Sequence, residues 1–404
     1  MSDLRILHVI PAIAPRYGGP TEAIFGMCRA LGRRGIDVMI GTTDADGPGH
    51  LDITRGTAIV HRGVPTLVFR RQFSERFGYS RPIAAWLGRT AGRYHAVHVH
   101  AVFSHPSIAA ARACRRRDVP YVVRPLGSLD PWSLRQNAAA KRVLWHVAVK
   151  RMLTSAAAVH YTTEQERHLA ESALGLRNGV VIPIGVELAD LTKEESSGLF
   201  RTRHPAVGRG PYVLTLSRLH PKKNIELLID AFLSTIGGLG TVDWHLVVAG
   251  NGDADYVRAL RQRAATHPDR VLFVGWLEGE ERASALREAA LLALPSHQEN
   301  FGLAVAEAMA AGVPVLVSEQ VNLAPEIRAH QAGWVSGLEA TALSAALCDA
   351  FTSEAERRRR GAAGRALVEA RFSWGRVAAD LERLYDSIAR APRTPPTPNP
   401  ENGL

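Results

Sequence analysis

Five short apolar runs in the second half of the chain recur with a helical stretch after each of the first four. This alternation limits the fold more than any other feature. The runs are YVLTLS (212–217), WHLVVAG (244–250), VLFVGW (271–276), LLALPS (291–296) and PVLVSE (314–319). Between them stand NIELLIDAF, ADYVRALRQRAA, GEERASALREAA and GLAVAEAMAAG. Runs that are apolar throughout suit strands buried on both faces, and their regular exchange with helices predicts a doubly wound parallel sheet. The first half has the same rhythm. A strand near Leu4–Ile10 leads through the loop PAIAPRYGGPT into a helix over Glu22–Arg34, ended by Gly35, and then a strand near Val38–Thr42. HAVHVH and YVVRP read as further buried strands.

A length of 404 residues suits two domains. The reading is an α/β chain of two tandem Rossmann-like, doubly wound parallel-sheet domains that face each other across a cleft. They span 1–190 and 205–370. The boundary falls at VVIPIGVEL (180–188) and the polar stretch Thr192–Gly210, and the Pro-rich tail 391–404 reads as disordered. Ligands of open α/β sheets bind beyond the carboxyl ends of the strands, so two facing sheets offer one site on each side of a cleft.

Composition bounds the function classes. Apolar residues make up 46% and charged residues 22%, which is globular. No apolar run approaches the roughly 18 residues of a membrane span, and MSDLRILHVIPAIAP reads as a strand, so a cytoplasmic protein is expected. Cys28, Cys114 and Cys348 are odd in number and lack metal spacing, so they read as buried thiols. The net charge of +10 is unevenly placed: residues 1–190 hold 25 Lys and Arg against 14 Asp and Glu, and the remainder hold 24 against 25. The basic half expects an anionic partner, namely nucleic acid, a membrane face or a phosphorylated acceptor.

The stretch LPSHQENFGLAVAEAMAAGVPVLVS (294–318) carries two carboxylates eight positions apart. Glu299 falls in a strand-to-helix loop and Glu307 about one and a half turns into the helix. The amides of Phe301, Gly302 and Leu303 open that helix and suit a phosphate. Both glutamates can accept hydrogen bonds from hydroxyls while the helix start holds phosphate between them; the competing reading makes them solvated surface charges. Arg218 and Lys223 in LSRLHPKKNIELLIDAF lie at the same sheet edge, where two cations clamp a diphosphate and stabilise its departure. Gly250, Asn251 and Gly252 form a small turn that a ligand can approach, and Gly18 and Gly19 offer amides from the other side. Taken singly, each of these is also an ordinary turn or a solvated cation.

Together, SRLHPKKNIELLIDAF, VAGNGD, VLFVGWLEGEE and the 294–318 stretch resemble glycosyltransferase family four, which is retaining and has the GT-B fold. HAVFSHPSIAAARACRRRDVPYVVRPLGSLDPW resembles the acceptor domain of members that build bacterial surface polysaccharides. The resemblance implies an acceptor domain at 1–190, a nucleotide-sugar domain at 205–370, and a helix at 371–390 that crosses back onto the first domain. It implies that Glu299 holds donor-sugar hydroxyls, Glu307 the ribose, and Arg218 and Lys223 the diphosphate. Gly19 and the amides of 301–303 complete the cradle, and Val274–Leu277 lies by the base. The leaving phosphate takes the acceptor's proton.

The chain departs from the family pattern in places. A histidine of many relatives is replaced by Leu126, which leaves His105 and Arg124 as acceptor-side candidates, with His105 otherwise a buried or capping histidine. Pro183–Ile184–Gly185 stands for Pro-Asn-Gly, and VNLAPEI lacks paired glycines before Pro325–Glu326, which leaves the donor sugar open. The Asp44–Asp46 and Asp253–Asp255 triplets read as structural, so no metal is expected and the only cofactor-like requirement is the nucleotide sugar. The segment KRVLWHVAVKRML (141–153) places Val143, Leu144, Val147 and Leu153 toward one face, with Lys141, Arg142, Lys150 and Arg151 at its ends. Alone it also reads as a core-packed helix with solvated ends; with the basic domain, it expects peripheral binding at the inner face of the plasma membrane and an acceptor that is a saccharide or is linked to polyprenyl diphosphate. Two other functions compete. A nucleotide-sugar epimerase on the same architecture needs an acid–base cluster around the sugar, which is not found. A nucleic-acid-binding protein needs exposed aromatics among the basic residues, and aromatics make up only 6%.

Overall fold

A computed structural model describes residues 3–75, 77–188, 198–240 and 243–390. The tail 391–404 and the start of the polar stretch at Thr192 lie outside the described residues. The first sheet has eight strands in the order Gly179–Val181, Ala158–Tyr161, Tyr121–Arg124, Ala96–His100, Arg5–Ala12, Asp37–Thr43, Val64–Phe69 and Ala58–His61. Its pairs are parallel except the edge hairpin of the last two, whose turn residues Arg62 and Gly63 both take positive φ, as a two-residue hairpin loop requires. The second sheet is parallel throughout, in the order Val271–Gly275, His245–Ala249, Tyr212–Leu216, Leu291–Leu294, Val315–Ser318 and Gly333–Ser336. The continuous apolar runs are explained by burial on both faces: in the first strand Ile6 and Ile10 enter one core and Leu7 and Val9 the other. Leu199–Arg203, ahead of the boundary at 205, already packs on the second sheet's helices, with Phe200 buried and its N–H donated to Ser284 Oγ at 3.0 Å.

Strand order reverses between Arg5–Ala12 and Ala96–His100 in one sheet, and between Tyr212–Leu216 and Leu291–Leu294 in the other. At such reversals successive crossover helices leave on opposite faces and the following loops part, which makes a crevice. The loops at these two points hold Gly18–Gly19 on one side and Arg218, Lys223 and Glu299 on the other.

Two passages of chain join the sheets. Val186 donates its N–H to Phe372 O at 2.7 Å and forms a single parallel bridge with Ser373. The next residue, Trp374, begins the helix Trp374–Arg390, which packs on Gly19–Arg33 of the first domain. The Trp374 ring lies flat against Gly185 and Gly26, and a Cβ at either glycine would collide with it. Arg34 Nη2 meets Glu382 at 2.5 Å further along.

The same helix covers a row of imidazoles. Tyr385 Oη lies 2.7 Å from His98 Nδ1, His98 Nε2 lies 3.3 Å from His160 Nδ1, and His160 Nε2 lies 2.6 Å from Ile182 O. A carbonyl only accepts, so His160 carries its proton on Nε2. Its Nδ1 then accepts from His98 Nε2–H, and His98 Nδ1 accepts from the tyrosine hydroxyl. Every ring in this chain is neutral. Burial pushes His160 down to about 3 and His98 well below the ordinary imidazole range. His8, His98 and His100 offer nitrogens within 4.8 Å of one another, but their rings stack at 24° and 21°. Two of these nitrogens already satisfy each other, His8 Nδ1 meeting His100 Nε2 at 3.1 Å in a ring-to-ring hydrogen bond.

The 141–153 segment differs from its sequence reading. It is helical as Ala138–Leu144 and Lys150–Thr154, with a π-turn at Trp145–Val149. The extra residue in that turn shifts the helical phase. Val143 and Val147 therefore face outward, 63% and 76% exposed, while Val149, Met152 and Leu153 enter the core.

Because the buried histidines hold folded pKa values below the unfolded 6.5, the unfolded chain binds more protons below that pH. Their contribution is complete above about pH 6.5 and falls as pH is lowered toward the folded values. Urea unfolding between pH 7.5 and 5 is expected to show stability falling with pH, and His98→Leu to make the slope shallower by about one proton. An unchanged slope would contradict the neutral chain.

Candidate active site

The site is built on two loops of the second sheet. The loop after Tyr212–Leu216 carries Arg218, Lys222 and Lys223; the loop after Leu291–Leu294 carries Gln298, Glu299 and Asn300. They are tied by His297 N–H to Lys222 O at 2.8 Å. Glu299 is held on its other side too: its N–H donates to Gln320 O at 3.2 Å, and its carbonyl accepts from Asn322 N–H at 3.0 Å. The Glu299 carboxylate meets the Lys223 ammonium in a pair that is mostly shielded from water. Burial would raise this carboxyl, but Lys223 and then Lys222 hold it below the ordinary carboxylate range.

Gly302 takes positive φ as the N-cap of Leu303–Ala310 and its carbonyl accepts from Val305 and Ala306 N–H at 2.8 and 3.1 Å, so the Leu303 and Ala304 amides head the helix toward the loop. Glu307 lies on this helix and is gripped by Arg282 of the neighbouring helix Gly279–Glu288 through two nitrogens, with Nη1 to Oε1 at 3.1 Å. It is therefore neither a loose surface charge nor a bare acceptor. Arg282 fixes its plane and leaves each oxygen further lone pairs for hydroxyls. Arg282 also lies in the field of Glu22, in the first turn of Gly19–Arg33 of the other domain.

Gly250 and Gly252 serve a different purpose from the one their spacing suggested. A Cβ at Gly250 would strike the Ser217 carbonyl, and one at Gly252 the Leu219 carbonyl. Leu219 N–H donates to Asn251 O at 2.8 Å. The space that these glycines leave is filled by the protein's own Ser217–Leu219 backbone, so they act on the site by seating Arg218, which reaches solvent at the rim. Gly18 and Gly19 are open: a Cβ at either would meet nothing within 4 Å.

The acceptor-side candidates divide. His105 begins the helix His105–Arg117, accepts from Ser80 N–H through Nδ1 at 3.2 Å and packs 4.4 Å from the Tyr79 ring. Burial, then Arg112, lowers its pKa, so it is a neutral packing residue with one ring nitrogen taken. Arg124 is fully buried below the sheet edge, within reach of the charge on Glu166. Leu126, in the place of the missing histidine, takes φ +57 beside Gly127 at +69. The aspartate triplets are structural. Asp44 is buried and takes the Arg71 N–H at 2.7 Å, His50 at 3.0 Å and Arg55 at 2.7 Å; Asp46 pairs with Arg16; Asp253 caps Ala254–Arg263; and Asp255 pairs with Arg258.

Sequence reasoning missed Lys222, Asn300, Arg282, Trp132 and Glu166. Lys222 points across the cleft at the Trp132 ring, 5.2 Å away. Glu166 stands three residues after Thr163, the spacing of a helix capping box, and that reading conceals its other partners.

Removing Lys223 strands a buried carboxylate. Lys223→Ala is expected to lose about 3 kcal/mol of stability at pH 7.5. In the variant the lone carboxyl has a raised pKa, so the deficit against wild type shrinks as pH falls and Glu299 protonates. Urea unfolding at pH 7.5 and 5 measures both; a deficit that is constant with pH would contradict the pair.

Residues 198–367 match the family described as glycosyl transferases group 1, and residues 18–185 match the glycosyl transferase 4-like domain. A phosphatidyl-myo-inositol mannosyltransferase of Mycobacterium tuberculosis is 32% identical over 188 residues, 45% of this chain and 48% of that protein. The match thus spans about half the length of that curated relative. A GDP-mannose:cellobiosyl-diphosphopolyprenol alpha-mannosyltransferase of Komagataeibacter xylinus is 26% identical over 95% of this chain and 93% of its own. The crystal structure of Anabaena HepE in complex with UDP and glucose superimposes with a TM-score of 0.76 at 20% identity, over 95% of this chain and all of that one. With both halves matched and this fold beneath them, the chain belongs to the GT4-type glycosyltransferases of GT-B fold.

Proposed function

We propose that the protein is a retaining glycosyltransferase that moves a hexosyl unit from a nucleoside-diphosphate sugar to a saccharide or a lipid-linked saccharide. The observation that carries this reading is the set of Arg218, Lys222, Lys223 and Glu299 gathered beside the open first turn of Leu303–Ala310. In this reading the diphosphate lies between Arg218, Lys223 and the amides of Phe301, Gly302 and Leu303. Gly19 approaches from the other domain, and Glu307 accepts from the ribose hydroxyls. Phosphate arriving at Lys223 relieves Glu299 of its counter-charge and leaves it to bind sugar hydroxyls. The bond from the anomeric carbon to the phosphate oxygen breaks, and the bond to the acceptor oxygen forms on the same face. The acceptor's proton passes to the departing phosphate, and no protein base is needed. Arg218 and Lys223 take up the charge that develops, so the reaction is proposed to need no metal. The relatives named for GDP-mannose and a diphosphopolyprenol acceptor make a mannosyl donor and a polyprenyl-linked acceptor the first to try.

A membrane face belongs to the same proposal. Val143 and Val147 stand exposed one turn apart, ringed by Arg142, Lys150 and Arg151, and no acid occurs from residue 131 to 163. Apolar side chains within a cationic rim suit an anionic leaflet, here the inner face of the plasma membrane, where a lipid-linked acceptor is found. No helix among the described residues is long and apolar enough to cross a membrane.

Titration calorimetry with UDP, GDP and ADP, with and without Mg²⁺, tests the donor site. One nucleotide is expected to bind without metal, and Glu307→Ala to weaken it about tenfold or more through loss of charge-assisted hydrogen bonds. Binding indifferent to Glu307 would remove it from the site. For the membrane face, Val147→Glu is expected to abolish sedimentation with phosphatidylglycerol vesicles. Persistence of sedimentation would place the contact elsewhere.

A further inference from the structure

Glu166 is 4% exposed, and its carboxylate collects donors from two loops of the first domain. Oε1 accepts from Gly127 N–H at 3.0 Å; Oε2 accepts from Thr162 N–H at 2.7 Å and from the Thr162 hydroxyl at 2.8 Å. A further donor comes from the second domain. With the Asn300 amide turned so that its nitrogen faces the carboxylate, Nδ2 lies 2.9 Å from Oε1 and 3.3 Å from Oε2. The Asn300 side chain also packs directly on the Gly127 backbone, since a Cβ on Gly127 would stand 2.8 Å from Asn300 Cβ. Only a glycine with positive φ lets the two domains meet this closely.

Each end of this bond leads to one side of the cleft. Gly127 follows Leu126, whose left-handed backbone is costly for a leucine and must be held by its surroundings. Glu166 supplies that hold. Asn300 adjoins Glu299, whose N–H and carbonyl are held by Gln320 and Asn322, so the Asn300 contact ties this anchored stretch, and Glu299 with it, to the first domain.

We propose that Glu166 and Asn300 are positioning residues that set Glu299 opposite the Leu126–Gly127 turn through the contacts of the Asn300 amide with Glu166 and with the Thr162 hydroxyl, 3.1 Å away, across the cleft. The transferase reading enters only in naming the two sides as donor and acceptor. Neither residue touches substrate in this assignment, because the acceptor positions of Glu166 are taken by the protein. The charged and titratable groups that bear on Glu166 are Arg124, at the end of Tyr121–Arg124, and Tyr161, at the end of Ala158–Tyr161. Burial raises the Glu166 carboxyl, while the Thr162 and Gly127 donors and Arg124 oppose this.

Asn300→Asp places a second carboxylate on the first. Two facing carboxylates repel when both are ionised and bind when they share one proton. Spin labels at exposed Arg89 and Arg258, in a Cys348→Ser background, report the distance between domains, and kcat/KM is measured alongside. At pH 8, Asn300→Asp is expected to lengthen or broaden that distance and to lower kcat/KM about tenfold or more relative to wild type. Toward pH 6 both are expected to return toward the wild-type values, a recovery that a merely misfolded loop would not show. An unchanged distance and rate at both pH values, or a loss indifferent to pH, would overturn the assignment. If the wild type binds no nucleoside diphosphate and transfers no sugar, the transferase reading fails, and the distance measurement alone still decides the Glu166–Asn300 contact.

Discussion

The arrangement of the two domains rests on one side chain placed between two glycines. Trp374 can lie against the first helix and the inter-domain passage only because positions 26 and 185 carry no Cβ. That packing brings the helix Trp374–Arg390 onto the first sheet, where Tyr385 closes the imidazole row and Glu382 meets Arg34. The crossing at Val186 and Phe372–Ser373 alone would be a hinge of two strands of chain. With the helix docked, the loops at the two points of strand reversal face each other and the cleft has a defined width.

Within that cleft each carboxylate already has a cation from the chain itself. Glu299 has Lys223, Glu307 has Arg282, and Glu166 has the field of Arg124. Such a site is neutralised internally and avoids the large penalty of a bare buried charge. It also means that an incoming anion competes with the protein's own acids for its own cations. The pairs nearest the sheet edge, Lys223 with Glu299, are the ones such a ligand would rearrange. Arg282, set further back, grips Glu307 through two nitrogens, whereas Arg124 acts on Glu166 through its charge alone, with no hydrogen bond between them.

The sheets were legible because burial on both faces leaves an uninterrupted apolar run, and four residues of Leu291–Leu294 suffice to show it. Arg218, Lys223, Glu299 and Glu307 stand out as candidates because they sit in sequence beside such runs. Gly333–Ser336 was too short and mixed to read as a strand. Partners distant in sequence had no local sign: Arg282 is one more cation on a polar helix, and Glu166 satisfies a capping pattern that accounts for it locally. Gly250 and Gly252 misled because sequence reveals that a side chain is missing but not what occupies the space. The 141–153 face failed for a geometric reason, since a helical wheel assumes a constant turn and the π-turn at Trp145–Val149 breaks it.

The docked C-terminal helix also constrains how the chain can be made. The first sheet's strands and helices are complete by Val181, yet the helix that docks on them, Trp374–Arg390, is made about two hundred residues later. Domains usually fold in the order of synthesis. Here the nascent first domain waits, with His98 lacking its tyrosine partner, until those further residues have been added. A second domain that folds quickly would hold the tether short and deliver the last helix to the face that needs it.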